Sequence, residues 1–386
     1  MTQQSKSKKS PVPLLLTVLL LIVVLILDQV IQPTDYLSML LKVLQKASVY
    51  ALAAVSLNLL TGFTGLFSLG HAGFMLIGTY TYAIFTISSE SRDAVYQYYD
   101  AAVRFSFPEA FSSVLGPLGT VLGVVLAILL AGAVSALVAW LIGLPVLRLK
   151  SDYLAIATLG FAEVIRAIFQ WGKLGPITNG SNPLKSFVRI ADFELEIGGT
   201  VISLSTFIPV LLSAVCIGII VLLINSSYGR AFKAIRENEI AAEAMGINLA
   251  RHKMLSFCIS SFFAGVAGAG MAMVLGIAQA NNFKSAMTYE ILLMVVLGGI
   301  GSISGSVIGA TLFIAASEWW LRGLDNGSFL GIEAPGIFRN GFRLVVFSVV
   351  IMVVVLFFRK GIMGDKELTD LPRLLKRRSK TKEVAK

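Results

Sequence analysis

Apolar residues in this chain gather into blocks of bilayer length, and polar residues collect between the blocks. A hydrocarbon core about 30 Å thick takes about 20 apolar residues at 1.5 Å rise per residue. Residues 12–31, 44–61, 70–88, 118–144, 153–171, 204–224 and 254–275 meet or approach that length. A shorter pair follows at 290–300 and 305–320, and a last block at 344–358. The pattern predicts an all-α, polytopic integral membrane protein of about eight to ten transmembrane helices, ten if the short pair counts as two. Lysines precede the first block as in a signal peptide, but no small-x-small cleavage site follows, so the block reads as a retained anchor. With 56% hydrophobic and 14% charged residues, there is too little polar surface for soluble domains.

The net charge of +10 matters through its placement. With both termini cytoplasmic, inner segments hold 20 Lys and Arg and outer segments 11, which satisfies the positive-inside rule. The chain divides into a cytoplasmic basic tail (1–11), a membrane domain (12–358) with a large inner loop (225–253), and a second cytoplasmic basic tail (359–386). Nucleic-acid binding would need a basic folded face. These tails instead read as solvated topology signals, so membrane lipid is an expected partner and nucleic acid is not.

Two glycine-rich stretches interrupt the apolar pattern. Residues 61–80 hold Gly62, Gly65, Gly70, Gly73 and Gly78, with Ser68 and His71 among them. Glycine at this density disfavours one continuous helix. Broken backbone at membrane depth survives only where protein or a water-filled cavity satisfies it, and half-helix N-termini hold charged substrate groups in transporters. A broken or re-entrant segment is expected, with a plain cytoplasmic turn between two spans as an equal alternative. Residues 295–310 form the second stretch. It lacks the Lys-Ser/Thr ending of a P-loop, and Ser304 replaces the last glycine of a dinucleotide fingerprint, so no nucleotide site is expected. Its short apolar flanks predict a hairpin that dips into the membrane. Asn58, Gly62, Gly65, Ser68, Gly70, His71, Gly298, Gly299 and Gly301 are the candidate lining of a translocation path. Small residues four apart (Gly119, Gly123, Ala127, Ala131, Ser135, Ala139, and again Gly301, Gly305, Gly309) predict close helix packing.

Glu163 and Arg166 are the only strong ion-pair candidates inside a span. Glu163 lies about 15 Å deep at the helical rise, and a spacing of three puts both on one face. Such a pair marks a relay or a self-neutralised packing contact, and the packing role carries slightly more weight. In the inner loop, Asn238 is a plausible N-cap, Glu239 favours a helix start and Gly246 suits a left-handed stop. A helix of about two turns is expected there, with Ile240, Ala241, Ala244 and Met245 as an apolar docking face. Outer segments 88–114, 172–203 and 321–343 offer surface to an external partner. Cys216 and Cys258 sit in apolar runs, only His71 and His252 are histidines, and no nucleophile or acid/base constellation is present. No catalytic residue, metal or cofactor is expected.

The segments 57–80, 147–166, 229–269 and 289–310, taken in order, resemble the permease subunits of ABC importers for branched-chain amino acids, specifically the longer of the two paired permeases. The resemblance implies a non-enzymatic transport subunit in a bacterial or archaeal plasma (inner) membrane. It further implies a homologous second permease, two cytoplasmic ATP-binding cassette ATPases that hold the ATP, and an extracellular or periplasmic amino-acid-binding protein. Leucine, isoleucine and valine are the implied ligands, with another amino acid, an amide or urea, which related permeases carry, as the alternative, and an ion-coupled secondary transporter as the rival reading. Arg236, Glu237, Asn238, Glu239, Ala242, Glu243 and Gly246 fall in the stretch that resembles the family's ATPase-coupling loop. The chain departs from the family pattern after the Thr178-Asn179-Gly180 turn, where a second glycine is missing, and at Ser151, which replaces a glycine.

Overall fold

A computed structural model describes residues 12–30, 38–149, 151–197 and 200–320, with 328–329, 332–333, 349, 352, 361–364 and 367. The helices in chain order are α1 (Val12–Val30), α2 (Ser38–Asn58), α3 (His71–Thr86), α4 (Ser89–Val95), α5 (Phe107–Leu115), α6 (Pro117–Val146), α7 (Ser151–Gln170), α8 (Gly175–Thr178), α9 (Phe207–Ile224), α10 (Ser227–Glu237), α11 (Glu239–Ala244), α12 (Leu249–Leu275), α13 (Ser285–Gly298) and α14 (Ile303–Ala315). π-helical turns extend α2 (Leu59–Phe63) and α14 (Ala316–Trp320). Two small antiparallel hairpins, β1 (Glu194–Ile197) with β2 (Thr200–Ser203) and β3 (Ser328–Phe329) with β4 (Ile332–Glu333), are the strands in this all-α fold.

Every apolar block from 12–31 to the short pair is a helix. The block 344–358, apart from residues 349 and 352, lies outside the described residues, as do the tail 1–11 and most of 359–386. Among the described residues, five helices are long and apolar enough to cross a membrane: Ser38–Phe63, Pro117–Val146, Tyr153–Gln170, Phe207–Ile224 and Leu249–Leu275. α13, at 14 residues, reaches about 20 Å, and α14 at 13 residues is lengthened by its π-turn; both fall short of the membrane-length helices.

The centre is α2, α3 and α12, joined where glycine lets backbones meet. A Cβ on Gly78 would lie 2.0 Å from the Gly265 carbonyl, and one on Gly268 2.0 Å from that of Met75. The α6 stripe is buried at every predicted position. Ser135 Oγ lies 3.1 Å from the Phe74 carbonyl and so ties α6 to α3. The first two stripe glycines receive α5 instead of another span: a Cβ on Gly119 would lie 2.0 Å from Phe111 O, and one on Gly123 2.7 Å from Pro108 Cα. The outer segment 88–114, expected as open surface, is therefore partly folded back along α6. The turn at Gly116 (φ 59°, ψ −140°) adopts a conformation that only glycine takes readily.

Bridges Ile87–Phe187 and Leu184–Ala278 close one end of the bundle. There the Tyr96 hydroxyl donates to Ile177 O at 2.8 Å, and burial pushes its pKa up to about 12, which keeps it a donor. The opposite end carries α10, α11 and the two breaks in the helices.

Candidate functional site

Beyond Asn58, α2 continues as a π-turn, after which the chain runs without helix from Thr64 to Gly70 until α3 begins at His71. This first break is narrower than the glycine density predicts. Gly73 and Gly78 lie inside α3, where their missing side chains admit Ala162 of α7 and Gly265 of α12. Four backbone donors in and beside the break are satisfied by protein, as irregular backbone away from water requires. Leu66 N–H donates to Leu60 O (3.1 Å), Leu69 N–H to Thr158 Oγ1 (3.0 Å), Gly70 N–H to Ser68 Oγ (3.4 Å) and Ala72 N–H to Thr288 Oγ1 (3.1 Å). Gly65, at φ 78°, turns the chain out of the π-turn. Ser68 and Gly70 are buried, while Gly65 and Phe67 are exposed. His71 is buried with Nε2 2.8 Å from Ser56 Oγ, whose own proton goes to Ala53 O, a structural pairing.

The second break joins α13 to α14 through Gly299 (φ 121°) and Gly301 (φ 91°), conformations open mainly to glycine. Here contact is direct. A Cβ on Gly298 would lie 2.1 Å from Gly305 O, and one on Gly309 2.4 Å from Met294 O. Of the predicted Gly301/305/309 stripe, only the last two are helix-packing positions, because Gly301 belongs to the turn. Asn58 fastens this turn to α2: its Oδ1 accepts from Gly301 N–H (2.9 Å), and its Nδ2 donates to Ser302 O (2.9 Å) and Ser306 Oγ (2.8 Å). The two breaks touch, since a Cβ on Gly62 would lie 2.6 Å from Gly301 N.

A segment expected to be a solvated tail closes the far side of the second break. Ile362 N–H donates to Leu297 O (2.9 Å) and Met363 N–H to Gly298 O (3.0 Å). The Glu367 carboxylate accepts from Ile303 N–H (2.7 Å), Ser304 N–H (3.1 Å) and Ser304 Oγ (2.6 Å). The segment serves both helix ends: its N–H groups satisfy the last carbonyls of α13, and the Glu367 carboxylate satisfies the N–H groups at the α14 N-terminus that lack helical partners.

The 225–253 loop forms two helices where one was expected. The unpredicted α10 buries Gly229, Phe232 and Ile235, a three-residue period visible in the sequence. Asn238 ends α10 and caps α11, its Oδ1 accepting from Ala241 N–H at 3.0 Å. Gly246 (φ 86°) provides the expected stop. Ala242 is buried, whereas Ile240 and Met245 are 82% and 83% exposed. Glu237 and Glu243 are also exposed, and Glu239 accepts from Lys253 Nζ of α12 at 2.6 Å. Arg236 reaches the breaks: its Nη1 donates to Gly62 O at 2.6 Å. Lys233 sits 5.5 Å over the Phe63 ring.

Glu163 and Arg166 pair as expected, Nε to Oε2 at 2.8 Å. Glu163 also accepts from Ser285 N–H (3.2 Å) and Ser285 Oγ, at the first residue of α13, so it fastens α7 to α13. It is not the only charged pair inside the bundle. Lys46 of α2 meets Glu318 in the π-turn after α14, and both are about three-quarters buried. No local spacing signals a contact between residues so distant in the chain. Among the described residues, no three His, Cys, Asp or Glu side chains come together as metal ligands would.

Glycine-built breaks in a bundle of membrane-length helices, gripped by a polar loop, describe a multi-pass membrane protein. The chain belongs to the family of branched-chain amino acid transport system permease components, whose model matches residues 39–358. It is 32% identical over 291 residues to the high-affinity branched-chain amino acid transport system permease protein LivM of Salmonella typhimurium, covering 70% of this chain and 61% of that protein. It is 28% identical over 251 residues to the probable branched-chain amino acid transport permease protein LivH of Methanocaldococcus jannaschii (63% and 74% covered). A shorter match, 32% over 156 residues, is to the xylose transport system permease protein XylH of Haemophilus influenzae (38% and 41% covered). The chain thus spans about three-fifths of the LivM relative's length. No solved structure matches it.

Proposed function

We propose that this chain is a permease subunit of an ATP-binding cassette importer that moves leucine, isoleucine or valine inward across a plasma membrane, with both termini cytoplasmic. Separate ATPases supply the energy, a homologous second permease completes the pore, and an external binding protein delivers the amino acid. Similarity to LivM and LivH supports the substrate class and the pairing. The observation that carries the reading is the 225–253 loop. A capped, six-residue helix holds Ile240 and Met245 out to solvent, and the adjoining α10 grips the first break through Arg236. That is the form of a lever with an apolar handle for another protein.

A second observation supports a membrane partner. In α7 and α9, 28% and 33% of the spanning windows are buried, yet their mean hydropathies are 1.3 and 3.0. Lipid suits α9. It does not suit α7, which carries Glu163 and Arg166 on a partly open face, so protein or water covers α7 in the assembled transporter.

Reconstitution with the second permease, both ATPases and the binding protein tests the assignment. ATP-dependent leucine uptake into vesicles is expected. Glu243→Lys and Gly246→Val are expected to abolish that uptake while leaving the affinity of the binding protein for the complex intact. Uptake that needs no ATPase but follows a proton or sodium gradient would make the chain a secondary carrier instead.

A further inference from the structure

Arg236 touches both breaks. Its Nη1 donates to Gly62 O in the first, and a Cβ on Gly301 in the second would lie 2.7 Å from the same atom. A Cβ on Gly65 would lie 3.3 Å from Arg236 Cα. Arg236 as a whole is exposed, but its guanidinium contacts both the π-turn and the α13–α14 turn, and the absence of a side chain at Gly301 makes room for it. Its carbonyl partner belongs to a helix C-terminal turn, which carries partial negative charge, so the bond is charge-assisted. The guanidinium is held to the first break by this hydrogen bond and meets the second by packing against Gly301, an arrangement the more compact lysine ammonium would not reproduce.

The position of Arg236 along the loop matters equally. It lies two residues before Asn238, the single residue at which α10 ends and α11 is capped. A force on the exposed Ile240 and Met245 passes through Asn238 into the end of α10, where Arg236 stands. Phe232 and Ile235, fully buried, keep α10 seated on the bundle as it moves.

We propose that Arg236 is the strut that carries movement of the 225–253 loop into both breaks together, a positioning residue for transport; this rests on the importer assignment above. Two measurements test it. In the purified chain alone, amide hydrogen exchange in Arg236→Ala is expected to quicken at least tenfold at Leu66 in the first break and at Gly301 in the second. Loosening of one break only, or of neither, would overturn the strut. In the reconstituted complex, Arg236→Ala and Gly301→Ala are each expected to retain ATP hydrolysis while importing at least tenfold less amino acid per ATP. The double variant should be no worse than either single one, because both remove the same link. Losses that multiply in the double variant, or normal coupling in Gly301→Ala, would also overturn it. If Arg236→Ala does not assemble, Arg236→Lys, which keeps the charge without the guanidinium, carries the same expectation. Absence of import by the unaltered complex would instead reject the importer assignment and leave the exchange result to decide the strut.

Discussion

The two breaks are built from the same residue and hold their shapes by opposite means. Between its anchored ends the first is suspended. Leu69 and Ala72 N–H groups reach threonine hydroxyls on α7 and α13, and Gly65 and Phe67 stay exposed. The second is clamped, with the Gly298 and Gly305 backbones in contact, Asn58 bonded to three of its groups and Glu367 on its helix end. A rotatable hydroxyl can exchange partners as helices slide, whereas close-packed backbone transmits displacement without yielding. The difference makes the first break the one that changes shape under load and the second a rigid unit that moves as a whole.

The largest expected effect comes from forcing the clamp open. Gly298→Ala places a methyl 2.1 Å from Gly305 O and is expected to cost about 3 kcal/mol, read as a lowered midpoint of SDS unfolding. Gly160→Ala on α7, where a Cβ meets nothing within 4 Å, is the control and should be neutral or stabilising by up to about 1 kcal/mol. Equal behaviour of the two variants would erase the distinction between clamped and open glycine. Asn58→Ala comes next, at about 2 kcal/mol, because it leaves Gly301 N–H without its acceptor. Thr158→Val and Thr288→Val remove single bonds from the suspended break, and each is expected to cost about 0.6 kcal/mol in the same assay. A threonine loss as large as that at Asn58 would show the first break to be as rigid as the second.

Much of this arrangement was legible in the sequence where the signal was local. Blocks of apolar residues located the helices, and Asn238 and Gly246 marked the ends of α11 because capping depends on a few neighbouring residues. Glycine density located both breaks but overstated the width of the first. Glycine serves broken backbone and close helix contact alike, and only the packed structure shows that Gly73 and Gly78 do the second job. The buried positions of α10 and the Pro108 and Gly116 boundaries of α5 were readable signals overshadowed by the polar residues around them. The partners of Lys46, Glu163 and Glu367 lie 272, 122 and 64 residues away, so those contacts exist only once the fold has formed. The same holds for Asn58, whose identity as a path candidate came from its place beside the glycines and whose three bonds come from α2 meeting the α13–α14 turn.

The smallest expected effect sharpens the comparison most finely. Glu367 adds a charge to the clamp: its carboxylate faces the N-terminus of α14, the positive end of that helix. At the α3 N-terminus in the first break the cap residue is Gly70, and the Ala72 N–H goes instead to the neutral Thr288 hydroxyl. Glu367→Gln keeps the size and one acceptor oxygen while removing the charge, so it should lower stability by about 0.5 kcal/mol at low ionic strength. Salt screens a charge–dipole attraction between partly exposed groups, so the difference from the unaltered chain should shrink as salt is raised toward 1 M. The threonine variants of the first break, which lose only neutral hydrogen bonds, should show no such salt dependence. A Glu367→Gln loss that stays constant across salt would mean that shape alone seats this segment, and the two breaks would then differ in packing but not in electrostatics.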